Sequence, residues 1–347
     1  MIRYLTAGES HGPQLDVIID GFPANFRIDL KRINEDLAKR QIKLGSGARQ
    51  SIETDKVVVN AGIMEGLTTG SPLSFTVKNK NHEAWKGKKI EAYTITRPGH
   101  ADKAGCFKYE LNDIRKVLER ASARETTTRV VLGSCCMQVL EKLRIKIKTE
   151  VEQFGPIFLR DKTDKEIVEL VKQQGETAGG ILKTKVVGVP VGLGSFVQAD
   201  RKLDAKIAAA IMSIPAIKGI EFGAGFGLSE KLGTEAQQFL GGFTGGMTDG
   251  NDIEFRCVMK PIPTTIKPQN TIDLKTKKKC KTKYERSDIA PIFRTPIIID
   301  SMVAYVLLNE IVETFGGDTF EDIKKRMKMK KKYDFENITS NRKEFWN

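Results

Sequence analysis

Two of the three histidines in this 347-residue chain lie in short, glycine-containing motifs that could perform acid–base chemistry. His11 belongs to residues 8–12 (GESHG), and His100 belongs to residues 97–102 (RPGHAD). An imidazole ring gains or loses a proton near neutral pH, and glycine lets the backbone approach a ligand closely. Both histidines are therefore candidate acid–base catalysts, with a hydrogen-bonded loop histidine as the equal alternative. His82 has no comparable setting and is expected at the surface.

Arginine, serine and alanine residues cluster between positions 115 and 129 in a pattern suited to anion binding. On a continuous helix Arg120 and Arg124 would share one face, and the small side chains of Ser122 and Ala123 would let an anion approach. Arginine binds carboxylates and phosphates through paired donors. The alternative is a solvated helix face with salt bridges between neighbouring turns. Two further cations flank the glycine-containing turn at residues 45–47, namely Arg40 and Arg49.

Three other segments contain groups that could hold a phosphate or transfer a proton. Lys260 and Thr264 follow a predicted strand, and Asp288 ends the run ERSD at residues 285–288. A loop salt bridge is the commoner role for a lone aspartate. The glycine-rich run at residues 241–250 fits neither the P-loop nor the dinucleotide-binding pattern, so a phosphate cradle and tight structural turns are equally plausible there.

The composition restricts the class of protein. The chain has 57 Lys+Arg against 44 Asp+Glu, and its net charge of +13 predicts anionic partners without naming them. The five cysteines form no Cys-x-x-Cys pair, so reduced thiols in a cytoplasmic protein are expected and a metal site is not. The N-terminal residues lack the apolar stretch of a signal peptide, and no run approaches the ~20 apolar residues of a membrane span.

The order of apolar residues predicts an α+β fold in which strands and helices occur in blocks. Strands are predicted at residues 15–22, 56–63, 71–79, 181–190 and 251–260. Helices are predicted after Asp29, after a capping box at Thr163, at residues 205–214 and 302–315, and between residues 113 and 143, the last with a possible interruption. Residues 275–283 are expected to form a solvated loop. No repeat of fixed period is visible in the sequence. The absence of a Pro/Ser-rich linker favours one domain.

Seven motifs, taken in order, resemble the chorismate synthase family. They are GESHG at residues 8–12, RPGHAD at 97–102, LERASARET at 118–126, VGVPVGLGS at 187–195, MSIPAIKGIEFGAGF at 212–226, MKP at 259–261 and RSD at 286–288. One such motif would be weak evidence, but all seven occur in the family's order, and the resemblance spans roughly residues 1–317, nearly the whole chain. The resemblance predicts a single domain over residues 1–317 and a basic C-terminal extension over residues 318–347.

The resemblance implies a β-α-β sandwich, with a helical layer between antiparallel sheets, assembled as a homotetramer. It implies a 1,4-anti elimination of phosphate from 5-enolpyruvylshikimate 3-phosphate that gives chorismate, the last step of the shikimate pathway. Family members need reduced FMN although the reaction has no net redox change. We expect an external flavin reductant, with NADPH as the electron source, because the length leaves no room for a fused reductase domain.

The family's residue roles transfer to matching positions in this sequence. His11 would protonate the departing phosphate, His100 would lie beside the flavin, and Asp288, supported by Ser10, would move a proton near the flavin. The substrate's phosphate and carboxylates would be bound by four arginines: Arg40, Arg49, Arg97 and Arg124. FMN would be contacted by Ser122, Ala123, Arg124, Gly246, Lys260, Thr264, Arg286 and Ser287.

The sequence departs from the family pattern at three places. Ser46 replaces the arginine of a Gly-Arg-Gly turn, and we expect Lys43 to supply the missing cation. Gln238 stands in an altered segment before the second glycine-rich run, and Ile289-Ala290 replaces the usual cysteine or proline after Asp288. These changes bear on substrate affinity and on the flavin site.

Two alternatives belong to other classes of protein. A nucleic-acid-binding protein would need aromatic platforms or a reading helix, yet aromatic residues make up 7% of the chain and none interleaves with the lysine run at residues 275–283. A non-catalytic flavin- or phosphate-binding homologue would be compatible with Ser46. Retention of His11, His100 and Asp288 favours the enzyme.

Overall fold

The N-terminal part of the chain forms a four-stranded antiparallel sheet in the order β1-β2-β6-β3. A computed structural model describes residues 1–41, 44–45, 55–80, 82–284 and 288–330. The sheet contains β1 (Arg3–Ala7), β2 (Gln14–Asp20), β3 (Val57–Ala61) and β6 (Leu73–Lys78), and β4 (Ile63–Met64) and β5 (Leu67–Thr68) form a small hairpin between β3 and β6. Leu73, Phe75 and Val77 alternate along β6 and are at most 1% exposed, so one face of this sheet lies against the core.

A second four-stranded antiparallel sheet has the order β7-β8-β12-β9. It contains β7 (Lys146–Phe154), β8 (Gly180–Val187), β9 (Ile217–Phe222) and β12 (Ile253–Met259), with β10 (Phe243–Thr244) and β11 (Met247–Thr248) as a hairpin between β9 and β12. Phe255 and Cys257 on β12 face the core, whereas Glu254 and Arg256 form ion pairs on the outer face. A separate hairpin joins β13 (Asn270–Ile272) to β14 (Lys279–Lys281).

A helical layer lies between the two sheets and confirms the predicted β-α-β sandwich. The helices are α1 (Leu30–Lys39), α2 (Asp102–Lys108), α3 (Ile114–Ala121), α4 (Thr126–Lys142), α5 (Asp164–Gln173), α6 (Leu203–Met212), α7 (Gly233–Ala236), α8 (Thr295–Phe315) and α9 (Phe320–Lys330). α4 packs on β2 and β6 of the first sheet, while α8 packs on β7 of the second. A Cβ at Gly133 of α4 would lie 2.1 Å from Ser301 Cβ of α8, so glycine lets these two helices touch.

α4 and α8 run parallel, and both begin at the same end of the molecule. Arg40 contacts Thr126, the first residue of α4, and its charge also acts on Arg294, which directly precedes α8. Gly133 and Ser301, which touch, lie at similar distances from the two helix starts. The partial positive charges at both helix N-termini therefore face one region of the molecule.

The structure contains an internal repeat that the sequence analysis missed. Each sheet has the order first, second, fourth, third strand, with a helix between its second and third strands and a glycine hairpin before its fourth. Thr68 Oγ1 donates to Pro23 O at 2.6 Å, and Thr248 Oγ1, 180 residues later, donates to Pro190 O at 2.6 Å. The two hydroxyls also accept equivalent backbone N–H groups, from Phe26 at 3.0 Å and Leu193 at 2.9 Å. The sequence shows no repeat of fixed period because this repeat is one of topology.

Most of the predicted elements are confirmed, with two differences. Asp29 caps α1 and the capping box at Thr163 is present. Residues 279–281 are not loop but β14, although their lysines are exposed as expected. α8 begins at Thr295, seven residues before the predicted start. The longer elements that were missed are β1, β7, β9 and α2, and the short hairpin strands and α7 were missed as well.

The segment Pro291–Phe315 is long and apolar enough to cross a membrane by composition, but 72% of its most apolar window is buried inside the fold. It is the core helix of the sandwich. α9, within the predicted extension, packs on α8 and sets Phe320 edge-on against Phe26, with ring centroids 5.2 Å apart. Residues 331–347 lie outside the described residues.

Candidate active site

The turn between β1 and β2 carries Ser10 and His11, and it is docked on the end of α3. Gly8 has φ +102°, and a Cβ there would lie 2.3 Å from Gln14 O, so the tight turn requires glycine. Ser10 N donates to Glu119 O at 3.0 Å, and Ser10 Oγ donates to Ser122 Oγ at 3.1 Å. The turn is thereby attached to α3, the helix that carries the start of the LERASARET motif.

Ser122 interrupts the helix between α3 and α4. Its backbone is extended (φ −67°, ψ 141°), and its hydroxyl accepts the N–H of Arg124. The predicted interruption is therefore present, but the shared face of Arg120 and Arg124 is wrong because the chain changes direction between them. Arg120 donates to Thr6 O at 3.1 Å, on the β1 side, whereas Arg124 points toward Asp55.

His11 is surrounded by groups that determine the orientation of its ring. Its Nδ1 lies 2.7 Å from Glu119 Oε1, and its backbone N–H donates to Glu119 Oε2 at 2.7 Å. The Trp85 ring lies against it, with centroids 4.7 Å apart. His82 is half-buried rather than at the surface, because its Nδ1 lies 3.1 Å from His11 O. The prediction of a surface role for His82 is wrong.

Two buried arginines share one buried carboxylate next to this turn. Asp55 is 5% exposed and accepts from Arg40 Nη2 at 3.1 Å and Arg124 Nη2 at 2.9 Å. Among the described residues these two guanidinium groups share this carboxylate, and paired arginines of this kind are suited to binding anionic groups.

Asp288 is also paired with an arginine, and it lies at the start of α8. Its carboxylate forms an ion pair with Arg294, whose side chain is nearly buried. Burial, with the charge of Arg40 as a second cause, lowers the pKa of Arg294 to about 9. Ile289 and Ala290 both donate their backbone N–H groups to Gly45 O, so the Asp288 segment touches the loop that follows α1.

His100 belongs to a second group of charged side chains. Its Nδ1 contacts Asp102, a fully buried carboxylate that also accepts from Arg97 Nε at 2.8 Å and Arg97 Nη2 at 2.9 Å. Burial alone would raise the pKa of the Asp102 carboxyl, but hydrogen bonds from Arg97 and His100 outweigh it and hold that pKa well below its usual range. Arg97 Nη1 also reaches Thr264 Oγ1, at 3.5 Å.

An open depression of about 570 Å³ is lined in part by Pro98 and Gly99, the two residues between Arg97 and His100 in the sequence. This volume is within the range of pockets that hold cofactors and other small molecules. Burial, and secondarily Lys218, lowers the pKa of the Lys260 ammonium in its wall. The lining includes Pro98, Gly99, Thr177, Lys260, Pro263 and Gln269.

A comparison with protein-family models matches residues 2–312 to the model described as chorismate synthase. The chain belongs to the chorismate synthase family. A chorismate synthase of Caldanaerobacter subterraneus subsp. tengcongensis is 43% identical over 339 residues, covering 93% of this chain and 97% of the relative. A chorismate synthase of Thermoanaerobacter pseudethanolicus is 44% identical with the same coverage. A solved structure described as a crystal structure of chorismate synthase is 31% identical, with a TM-score of 0.75, and covers 95% of this chain and 97% of that one.

The structure brings together many of the residues that the resemblance to chorismate synthase singled out. Ser10, Ser122 and Arg124 form one hydrogen-bonded path, while Arg97, His100 and Thr264 form another. Ala123 lies between Ser122 and Arg124 in a short 3₁₀ turn. Four of the predicted site residues or substitutes lie outside the described residues, namely Lys43, Arg49, Arg286 and Ser287, as does the divergent Ser46.

One predicted site residue of chorismate synthase, Gly246, lies far from the other described site residues within the chain. Its carbonyl accepts from Leu203 N at 2.8 Å, and the neighbouring Gly194 N donates to Glu310. Glu310 is fifteen residues after Thr295 on α8, which corresponds to ~22 Å along a helix. Gly246 therefore lies near the opposite end of α8 from Asp288.

Five partners in the site were missed by the motif analysis: Asp55, Trp85, Asp102, Glu119 and Arg294. Glu119 and Asp102 stand inside quoted motifs, but only Asp102, two residues after His100, lies near its histidine in the sequence. Among the described residues no group of three or more His, Cys, Asp or Glu could hold a metal. Burial raises the pKa of the Cys135 and Cys257 thiols to about 12, so neither is an active nucleophile.

Proposed function

We propose that this protein is a chorismate synthase that eliminates phosphate and the C6 hydrogen of 5-enolpyruvylshikimate 3-phosphate, with reduced FMN as cofactor. Two groups of charged side chains support the proposal: buried arginines and the Glu119-paired His11 near the N-terminus of α4, and the Arg97–Asp102–His100 group. The family relationship supplies the reaction. No feature of the described residues favours the non-catalytic alternative.

The substrate's charge explains why the arginines are buried. It has a phosphate and two carboxylates, and Arg40, Arg97 and Arg124 supply fixed cations in a region of reduced water access. Such preorganised charge stabilises the developing negative charge on a leaving phosphate more strongly than water does. The positive ends of α4 and α8 act in the same direction. Arg49 would add a fourth cation from outside the described residues.

Proton movements in the reaction need a donor and an acceptor. His11 would give its proton to the departing phosphate, and Asp288, supported by Ser10, would move a proton beside the cofactor. Arg294 would hold the Asp288 carboxylate in place and in its charged form. General acid catalysis of this kind contributes about 10²- to 10⁴-fold in rate.

In this proposal FMN binds near His100 and Lys260, and Lys260 lies in the wall of the depression. FMN would be held by Ser122, Ala123 and Arg124 on one side and by Lys260 and Thr264 on the other, with Arg286 and Ser287 in the undescribed loop. When bound, the reduced flavin supplies reversible electron donation that helps the phosphate leave. His100, tied to Asp102, would stabilise negative charge on the flavin ring. Gly246 would need another copy of the chain to reach the flavin.

We further propose a cytoplasmic homotetramer that receives its electrons from an external flavin reductant using NADPH, with residues 1–317 as one domain. Light scattering on the purified chain should give about four times the 38.7 kDa chain mass. A monomeric mass would contradict the assembly without affecting the reaction.

The decisive experiment mixes the purified protein with enolpyruvylshikimate phosphate and FMN under anaerobic conditions, with dithionite as reductant. Chorismate absorbance and phosphate release should rise together in a 1:1 ratio, and oxidised FMN should give neither. The His11→Asn variant serves as the matched control for background elimination. Absence of product with reduced FMN present would show that the proposed function is wrong.

A further inference from the structure

We propose that Glu119 is the positioning residue of His11: it holds the ring with Nδ1 turned away from the substrate, so that proton transfer proceeds through Nε2. This inference rests on the proposed function only for the identity of the proton's acceptor. The ring orientation itself follows from contacts within the chain.

The two oxygens of Glu119 are used differently. Oε1 faces His11 Nδ1 at 2.7 Å, and Oε2 accepts the His11 backbone N–H at 2.7 Å. Each oxygen of a carboxylate can accept a hydrogen bond, whereas the side chain of glutamine has only one acceptor oxygen. Glutamic acid is therefore the residue type that satisfies both the ring and the backbone of His11.

The contact between Glu119 and His11 is held from both sides. The Glu119 carbonyl accepts Ser10 N at 3.0 Å, and the Ser122 hydroxyl, one turn further along, bonds Ser10 Oγ at 3.1 Å. The Asn79 side-chain amide donates to Ser10 O at 2.7 Å. The turn cannot slide along the helix without breaking several of these bonds.

The ring of His11 is also restricted across its face. Trp85 packs against it at 4.7 Å, with 56° between the ring planes, and His82 binds the His11 carbonyl. About a fifth of the His11 side chain remains exposed. Because Nδ1 faces a carboxylate oxygen at 2.7 Å, the neutral ring carries its proton on Nδ1. A proton given to a ligand then leaves from Nε2.

The first test is spectroscopic and needs neither substrate nor flavin. The chain has three histidines, so a ¹⁵N–¹H correlation spectrum of the imidazoles contains three ring systems, assigned with His82→Gln and His100→Gln. At alkaline pH the neutral ring of His11 should show a protonated Nδ1 and an unprotonated Nε2. In Glu119→Gln this pattern should be lost or mixed with the opposite tautomer. A protonated Nε2 in the unchanged protein would overturn the proposal.

The second test is kinetic. In the dithionite assay Glu119→Gln should lower kcat about 100-fold, while KM for the substrate changes less than about 3-fold, because the arginines are untouched. Glu119→Asp, which keeps two oxygens on a shorter stem, should recover part of the lost rate. Glu83→Gln, an exposed carboxylate in the loop that carries His82 and Trp85, is the matched control and should keep the full rate. An unchanged kcat in Glu119→Gln would overturn the proposal.

The two tests separate the possible failures. If the unchanged protein makes no chorismate but its His11 shows the Nδ1-protonated neutral ring, the proposed function is wrong and the positioning by Glu119 stands. If Glu119→Gln does not fold, judged by far-UV circular dichroism, the Glu119→Asp spectrum and rate decide the matter. A Glu119→Asp variant that loses the Nδ1-protonated ring of His11 but keeps the full rate would reduce Glu119 to a structural residue.

Discussion

Single carboxylates organise the charged side chains of this site. Asp102 joins Arg97 to His100, Asp55 joins Arg40 to Arg124, and Glu119 holds His11. In each case a buried or half-buried acid orients side chains to which the proposed function gives a role. The proposed site is thereby ordered before any ligand binds, which would reduce the free-energy cost of organising it during the reaction.

Replacing Asp102 by asparagine should separate Arg97 from His100. The variant removes the charge that both partners share, so kcat/KM should fall at least about 100-fold. The rate is measured in the anaerobic assay with reduced FMN, and binding of reduced FMN is followed by its absorbance. Asp161→Asn, at a carboxylate that is 94% exposed, is the control. A variant with unchanged flavin binding and rate would show that Asp102 has no organising role.

The motif residues of the site could be predicted from the sequence, but their partners could not. His11, His100, Arg97 and Arg124 stand in short motifs whose residue types indicate the chemistry. Their contacts, however, join distant positions: Glu119 lies 108 residues from His11, and Asp55 lies 69 residues from Arg124. No local sequence pattern encodes such pairs, because they form only when distant parts of the chain pack together.

At the scale of elements, the pair α4 and α8 determines where the site lies. Both helices are apolar nearly all round, as expected for helices covered by a sheet on each side. Their existence could be predicted from apolar runs. Their parallel arrangement could not, because it depends on the close approach of Gly133 and Ser301.

Substituting Gly133 by alanine should force α4 and α8 apart. The new Cβ would meet Ser301 Cβ at 2.1 Å and its Cα at 2.2 Å, which backbone movement alone can relieve. Overpacking of this kind costs about 1–3 kcal/mol or more in free energy of unfolding, measured by urea denaturation. Gly227→Ala, where a Cβ meets nothing within 4 Å, is the matched control and should change stability little. Equal effects of both substitutions would contradict the close packing.

Asp300 links α8 to β7 and should make the stability depend on pH. It accepts from Thr149 Oγ1 at 2.6 Å, and burial raises its pKa to about 7 from 3.8. The folded state therefore favours the protonated carboxyl, and ionisation costs stability increasingly as pH rises from about 4 to about 7. Each unit of pKa difference corresponds to about 1.4 kcal/mol.

Asp300→Asn removes this ionisation. The free energy of unfolding of the variant, relative to the original protein, should rise by a few kcal/mol between pH 4 and pH 8. Urea titrations at both pH values measure it, with Asp161→Asn as the control. A pH-independent difference would mean that Asp300 titrates normally.

At the scale of the whole molecule, two halves of similar topology enclose the helical layer. The repeat escaped the sequence analysis because the similarity is confined to a few positions of the two hairpins, chiefly glycines and the threonines Thr68 and Thr248. Glycines are retained there because the turns need positive φ, while most other side chains differ. The two halves are more similar in topology than in sequence.

The two hairpin threonines should contribute equally to stability. Each hydroxyl is buried, donates to a proline carbonyl and accepts a backbone N–H. Thr68→Val and Thr248→Val should each lower the free energy of unfolding by about 1–3 kcal/mol, since both leave buried backbone groups unpaired. Thr69→Val, at an exposed neighbouring position, is the control. A large loss in free energy of unfolding at one site alone would show that the two hydroxyls do not contribute equally to stability.

Under the proposed function, the parallel course of α4 and α8 would make the bound ligand a link between the two halves. The proposed site takes both histidines and the Arg40–Asp55–Arg124 group from the first half, and Lys260, Asp288 and Arg294 from the second. A phosphorylated ligand at the two helix starts would therefore contact both halves. At a concentration 100 times its Kd, such a ligand adds about 2.7 kcal/mol to the free energy of unfolding. Ligand binding should then stabilise the two repeats together, as one unit.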